Sequence, residues 1–168
     1  MGRSIINLDN VYENNLGMMA KIAKIVYPNQ QFEESFFSEL FKGGNDKKKE
    51  AYMAQIAYYS EIPVGTIKLL LLQKKKSDSL QKGLHIELLA VLEKYDDHEI
   101  KEKLLEYALD ECKKNHQHKL FTATRSSDEQ LMNWYKEHGF TETGSKGEPV
   151  TLSDGTSEET VLLIRELD

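Results

Sequence analysis

The stretch GLHIELLAVLEKYDDHEIKEKLLEYALDECKKNH, residues 83–116, decides the fold. Its first part, Leu84 to Leu92, is an apolar run that reads as a buried strand, with His85, Glu87, Leu89 and Val91 on one face. From Ile100 the period changes: Ile100, Leu104, Leu105, Ala108, Leu109 and Cys112 form an apolar stripe, with Lys101, Glu102 and Lys103 outside it. A buried strand leading into an amphipathic helix is half of a layered α/β unit. Leu120 to Thr124 supplies the next strand.

Working outward, Leu16, Met19, Ile22, Ala23 and Val26 mark a helix stopped by Pro28. Phe32, Phe36, Phe37, Leu40 and Phe41 mark a second, closed by Gly43-Gly44. A polar linker over residues 43–50 precedes two extended runs, Tyr52 to Tyr59 and Val64 to Leu72, joined by a Ser60-Glu61-Ile62-Pro63 turn. A short extended start covers Ser4 to Leu8. After the strand at Leu120, Ser126-Ser127-Asp128-Glu129 reads as a capping box opening a helix through Leu131, Trp134 and Tyr135, ended by Gly139. A Gly- and Ser-rich loop, 144–157, then leads to a last strand, Thr160 to Ile164. The order predicts one α/β domain over residues 1–168, a mixed central sheet with helices on both faces.

Composition bounds the function. The mean hydropathy is −0.57, and no apolar run approaches the ~18 residues of a membrane span; the longest, Ile67 to Leu72, is broken by Lys68. A net charge of −6 argues against direct DNA binding, which relies on Lys and Arg to neutralise phosphates. The runs Lys47–Lys49 and Lys74–Lys76 read as solvated loops beside strand edges. The lone Cys112 rules out an internal disulfide, and with no leader pattern at MGRSIINLDN the expected compartment is the cytoplasm. Position 6 is Ile6, which excludes the myristoylation pattern that Gly2 invites. Cys112, His116 and His118 lie too close on one helix end to form paired ligand sets, so no metal site is expected.

The segment 83–95, the helix after it, and LMNWYKEHGF at 131–140 resemble the GNAT acetyltransferase fold. LDNVYENNLGMMAKIAKIVYPNQQFEESFFSELF (8–41) and AYYSEIPVG (57–65) narrow the resemblance to the NatE catalytic-type subunit of the N-terminal acetyltransferases, particularly its fungal form. The resemblance implies acetyl-CoA as cofactor, Tyr135 near the thioester sulfur, Tyr27, Pro28 and Asn29 in the peptide-recognition loop, and proton carriers at the positions of His85 and Ala123. Ala123 carries no proton, and Asn29 stands where active subunits keep an apolar residue. If the chain is active, His85, Glu87 and Tyr135 are the candidate acid-base groups.

The family's phosphate turn, Arg/Gln-x-x-Gly-x-Gly/Ala, works because backbone N–H groups at a helix N-terminus cradle a diphosphate and small residues let it approach. Here the turn is Asp96-Asp97-His98-Glu99-Ile100-Lys101. Each acid opposes a diphosphate by about 1 to 3 kcal/mol at an effective dielectric near 20. Lys101 supplies one opposing charge. Asp96 and Glu99 read instead as a capping pair for the helix. The Val91 and Leu92 backbone offers the remaining route to a pantetheine arm.

The resulting expectation is a degenerate, inactive N-alpha-acetyltransferase subunit of the ribosome-associated NatA/NatE complex, binding acetyl-CoA weakly if at all, with the NatA auxiliary and catalytic subunits as partners. The alternatives are an active N-alpha-acetyltransferase on nascent chains and an acetyltransferase of small-molecule amines.

Overall fold

The computed structural model describes residues 5–41, 50–96 and 98–168. Ser4, Gly43-Gly44, Lys47–Lys49 and Asp97, to which the sequence reading assigned roles, lie outside the described residues.

The elements follow in the order β1 (Ile6–Asn10), α1 (Leu16–Val26), α2 (Glu34–Ser38), β2 (Glu50–Tyr59), β3 (Ile62–Leu72), β4 (Gly83–Val91), α3 (Ile100–Lys114), β5 (Lys119–Arg125), α4 (Glu129–Glu137), β6 (Thr141–Lys146), β7 (Val150–Thr151), β8 (Ser157–Glu158) and β9 (Thr160–Glu166). Seven strands form one sheet in the order β1-β2-β3-β4-β5-β9-β6, and β7 and β8 form a separate hairpin. The β4–β5 pair is parallel, and the other pairs in the sheet are antiparallel. This is the mixed α/β sheet that the sequence pattern implies. The stretch 144–157, expected as loop, contains the end of β6, all of β7 and the first residue of β8, because polar strands at an edge carry little apolar alternation.

Helices cover both faces. Met19, Ile22 and Ala23 of α1 and Phe37 of α2 pack on Ala54, Ile56, Leu88 and Ala90. On the opposite face Ile100, Leu104, Leu105, Ala108 and Cys112 of α3, with Tyr135 of α4, pack on Ile67, Leu69, Leu71, Leu84, Ile86, Leu89 and Val91. β4 is buried on both sides, which is why it reads as an unbroken apolar run.

The face assignment along β4 needs correcting. Lys68 pairs with Leu88 and Leu69 with Ile86, leaving Glu87 as an extra residue, a β-bulge. The bulge reverses the alternation: Leu84 and Ile86 before it, and Leu89 and Val91 after it, all join the α3 core, while Leu88 and Ala90 face α1. His85 and Glu87 therefore do not share a face with Leu89 and Val91. Pairing between β4 and β5 also ends early, at Ile86 and Thr122, although β4 continues to Val91 and β5 to Arg125. The two strands part into a fork.

Leu104 is 0% exposed at the centre of the α3 core. Leu104→Ala is expected to cost about 3 kcal/mol and to lower Tm by roughly 6–12 °C, measured by thermal and urea unfolding.

Candidate active-site groove

The fork and the faces beside it hold three cavities in series. The largest, about 400 Å³, lies on the α2 side of the sheet and is lined in part by His85, Glu87, Phe36, Glu39, Ala123 and Glu148. A small one of about 60 Å³ occupies the fork, bounded by Tyr27, Leu89, Thr124, Asp128 and Tyr135. The third, about 240 Å³, opens beyond it between Tyr27, Leu89, Val91, Asp96 and Lys101. Ile86, Glu87, Thr122 and Ala123 border the first two.

In the largest cavity His85 stacks on Phe121 at 4.8 Å, and its Nε2 lies 2.6 Å from the Gln81 carbonyl. A carbonyl only accepts, so the Nε2 position carries the hydrogen and Nδ1 keeps its lone pair. Burial depresses the imidazole below its ordinary value, with the Gln81 hydrogen bond opposing, so the ring is neutral near pH 7. Glu87 is less free. The Lys68 ammonium, 0% exposed, donates to Glu87 Oε1 at 2.6 Å and to Glu39 Oε2 at 3.0 Å, and stands 3.8 Å from the Phe36 ring centre. Burial raises the Glu87 carboxyl, while Lys68 pulls it down. Burial outweighs the ammonium, so the Glu87 carboxyl stands above its ordinary range with Oε1 taken by Lys68. The sequence reading missed this triad, although a lysine interrupting an apolar strand signals a buried charge that needs partners.

Ala123 borders the groove with Gly147 against it: a Cβ on Gly147 would stand 2.5 Å from the Ala123 Cβ. The backbone at Gly147 thus takes space beside position 123 that a larger side chain would need.

In the fork, Tyr135 is 1% exposed and packs edge-on against Phe140 at 4.9 Å. Burial pushes its phenol well above the ordinary range, with the Thr122 hydroxyl opposing. The Thr124 hydroxyl, on a residue 2% exposed, has no hydrogen-bond partner among the described residues. Tyr27, at the end of α1, donates its hydroxyl to the Leu89 carbonyl at 2.7 Å. Pro28 and Asn29, the next residues along the chain, are exposed. The Asn29 carbonyl accepts from the Ser153 amide at 2.8 Å, and the Gln31 amide donates to the Thr151 carbonyl at 2.8 Å, so the β7–β8 segment straps this loop down. Glu158 anchors that hairpin: it accepts from Ser127 and pairs with Arg125 at 2.7 Å, and the Ser127 hydroxyl, aided by Arg125, holds its carboxyl down at about 2.

The turn before α3 departs from the expected cap. Asp96 follows a short 3-10 turn, Glu93–Tyr95, and forms an ion pair with Lys101 at 3.1 Å. Glu99 is the N-cap residue, in the left-handed region at φ 62°, and its side chain makes no capping hydrogen bond. The expected capping pair is therefore absent: the left-handed backbone at Glu99 sets where the helix starts, and the Asp96 carboxylate is drawn to Lys101 instead. His98 packs against Tyr59 at 5.0 Å. The Ile100 side chain belongs to the α3 core. The Leu92 amide donates to the Val64 carbonyl at 2.8 Å, and the Leu92 carbonyl accepts from the Tyr95 amide at 2.8 Å, so both backbone groups of Leu92 are engaged within the chain.

These residues do not fit a diphosphate. Glu93 and Asp96 line the third cavity, the nearby cation is engaged by Asp96, and a carboxylate side chain stands at the left-handed position that glycine fills best. Left-handed backbone costs a non-glycine residue roughly 1–2 kcal/mol. Glu99→Gly is therefore expected to raise Tm by about 1–3 °C despite the added chain entropy of glycine, as read by calorimetric melting.

The sequence profile described as "Acetyltransferase (GNAT) domain" matches residues 20–152. Among solved structures, Arabidopsis thaliana Naa50 in complex with the bisubstrate analogue CoA-Ac-MVNAL superposes with a TM-score of 0.69 at 22% identity, covering 96% of this chain and 99% of the other. Arabidopsis thaliana NAA60 in complex with a bisubstrate analogue gives 0.74 at 16% identity, with coverages of 97% and 99%. A chain of the NatC complex bound to Gag peptide and CoA gives 0.65 at 20% identity, with coverages of 97% and 99%.

Proposed function

We propose, from the premise that this chain belongs to the GNAT acetyltransferase family, that it is a degenerate N-alpha-acetyltransferase subunit with an accessory role in the ribosome-associated NatA/NatE assembly. The observation that carries the loss of activity is the turn before α3, where Asp96 and Glu99 stand in place of a phosphate cradle and Lys101 is tied to Asp96. Two further features support it. Ala123 cannot carry a proton, and Glu87, the remaining carboxylate beside His85, is held by Lys68. The assembly role rests on the likeness to the NatE catalytic-type subunit, and the NatC structure shows a domain of this fold in a complex. In that setting the partners are the NatA auxiliary and catalytic subunits, with the ribosome reached through them in the cytoplasm.

A second reading, an active N-alpha-acetyltransferase, is favoured by the parting of β4 from β5 and by the neutral His85 whose Nδ1 keeps its lone pair. Isothermal calorimetry with acetyl-CoA separates the two. Binding weaker than about 100 μM is expected for the natural chain, with at least a tenfold gain in Asp96→Arg/Glu99→Gly, since removing one opposing charge is worth about 1.4 kcal/mol or more. Micromolar affinity with turnover on a Met-initiated peptide would overturn the degenerate reading.

The assembly role is checked by co-purification from cells. The auxiliary and catalytic NatA subunits are expected to accompany the chain in salt-washed ribosome fractions, and recovery free of both refutes the role.

A further inference from the structure

The fork between β4 and β5 has an occupant built into the chain. We infer that Tyr27 acts as an internal plug, seated where an extended, uncharged thioester arm of the pantetheine type would lie, and that it holds the fork closed against such a ligand. The inference rests on the reading of this groove as that of a degenerate acetyltransferase.

Three observations place the plug. β4–β5 pairing stops at Ile86 and Thr122, so Leu89 has no β5 residue opposite it. An edge carbonyl of this kind is what an extended ligand would bond to on entering the fork, much as an added strand does. The Tyr27 hydroxyl already donates to that carbonyl at 2.7 Å. Tyr27 also lines both the fork cavity and the third cavity, so its ring stands where the two meet.

The seat is fixed from behind. Tyr27 keeps its amide on the Ala23 carbonyl at 2.9 Å, the last bond of α1. Asn29 and Gln31, just beyond it, are hydrogen-bonded to Ser153 and Thr151 of the strap. The side chain cannot leave the fork without shifting the recognition loop or turning about its own χ angles. The Thr124 hydroxyl, without a hydrogen-bond partner among the described residues, borders the same small cavity, a polar group that a ligand amide in the fork could satisfy.

Pantetheine is the probe because it carries no phosphate, so the acidic turn before α3 does not repel it. Its binding to the full chain is measured by calorimetry under reducing conditions for the natural protein, Tyr27→Phe and Tyr27→Ala, with circular dichroism as the control for folding. Tyr27→Phe, which loses the hydroxyl alone, is expected to bind several-fold more tightly than the natural chain, and Tyr27→Ala at least tenfold. If a folded variant of either kind binds pantetheine no more tightly than the natural chain, the plug is refuted. Should Tyr27→Ala fail to fold, the near-isosteric Tyr27→Phe decides alone. A micromolar affinity of the natural chain for acetyl-CoA would sink the degenerate reading, and the pantetheine comparison would still decide the role of Tyr27.

Discussion

The parting of β4 from β5 is the constraint on which the groove depends. Two parallel strands that stop pairing halfway leave a row of backbone groups on the β4 edge, and such groups inside a protein need partners. The chain answers the need from its own side chains and loops. Tyr27 takes the Leu89 carbonyl, and Tyr135 and Thr124 close the space between the strands. The bulge at Glu87 sits at the same point, next to the last β4–β5 pair, and turns the β4 side chains so that Leu89 and Val91 anchor the α3 core as the strand moves away from β5.

Charge completes the picture. Lys68 is wholly buried on β3 and survives there because two carboxylates and two aromatic faces surround it. The same ammonium ties α2 through Glu39 to the bulge through Glu87, so one side chain braces three elements around the largest cavity. At the other end of the groove, the turn before α3 retains the backbone bend that glycine favours while carrying a glutamate there. Glu99 thus stands in a conformation that glycine adopts at less cost, with Glu102 in the first turn of the helix and Asp96 paired to Lys101.

Much of this was legible beforehand. The α1 stripe, the apolar β4, the α3 period and the short β5 all follow from local periodicity, because their apolar positions must meet a core. His85, Glu87 and Tyr135 do border neighbouring cavities across the fork. What escaped were features with no local period: the bulge, which adds one residue to a strand without changing its composition; the Lys68 triad, whose members are distant in sequence; and the β6, β7 and β8 strands, whose short or polar sequences carry little apolar alternation. The supposed cap at Asp96 failed for a related reason, since its side chain found Lys101.

The sequence alone determined the α/β layering and the residue types available to the groove, including the acids before α3 and the alanine at position 123, because hydrophobic period and charge are local properties of the chain. Only the tertiary structure decided which way β4 side chains point, which ammonium holds Glu87, and that Tyr27 fills the fork. Those outcomes depend on strand register and on hydrogen bonds between groups far apart in the chain, 62 residues in the case of Tyr27 and Leu89, and no local pattern encodes them.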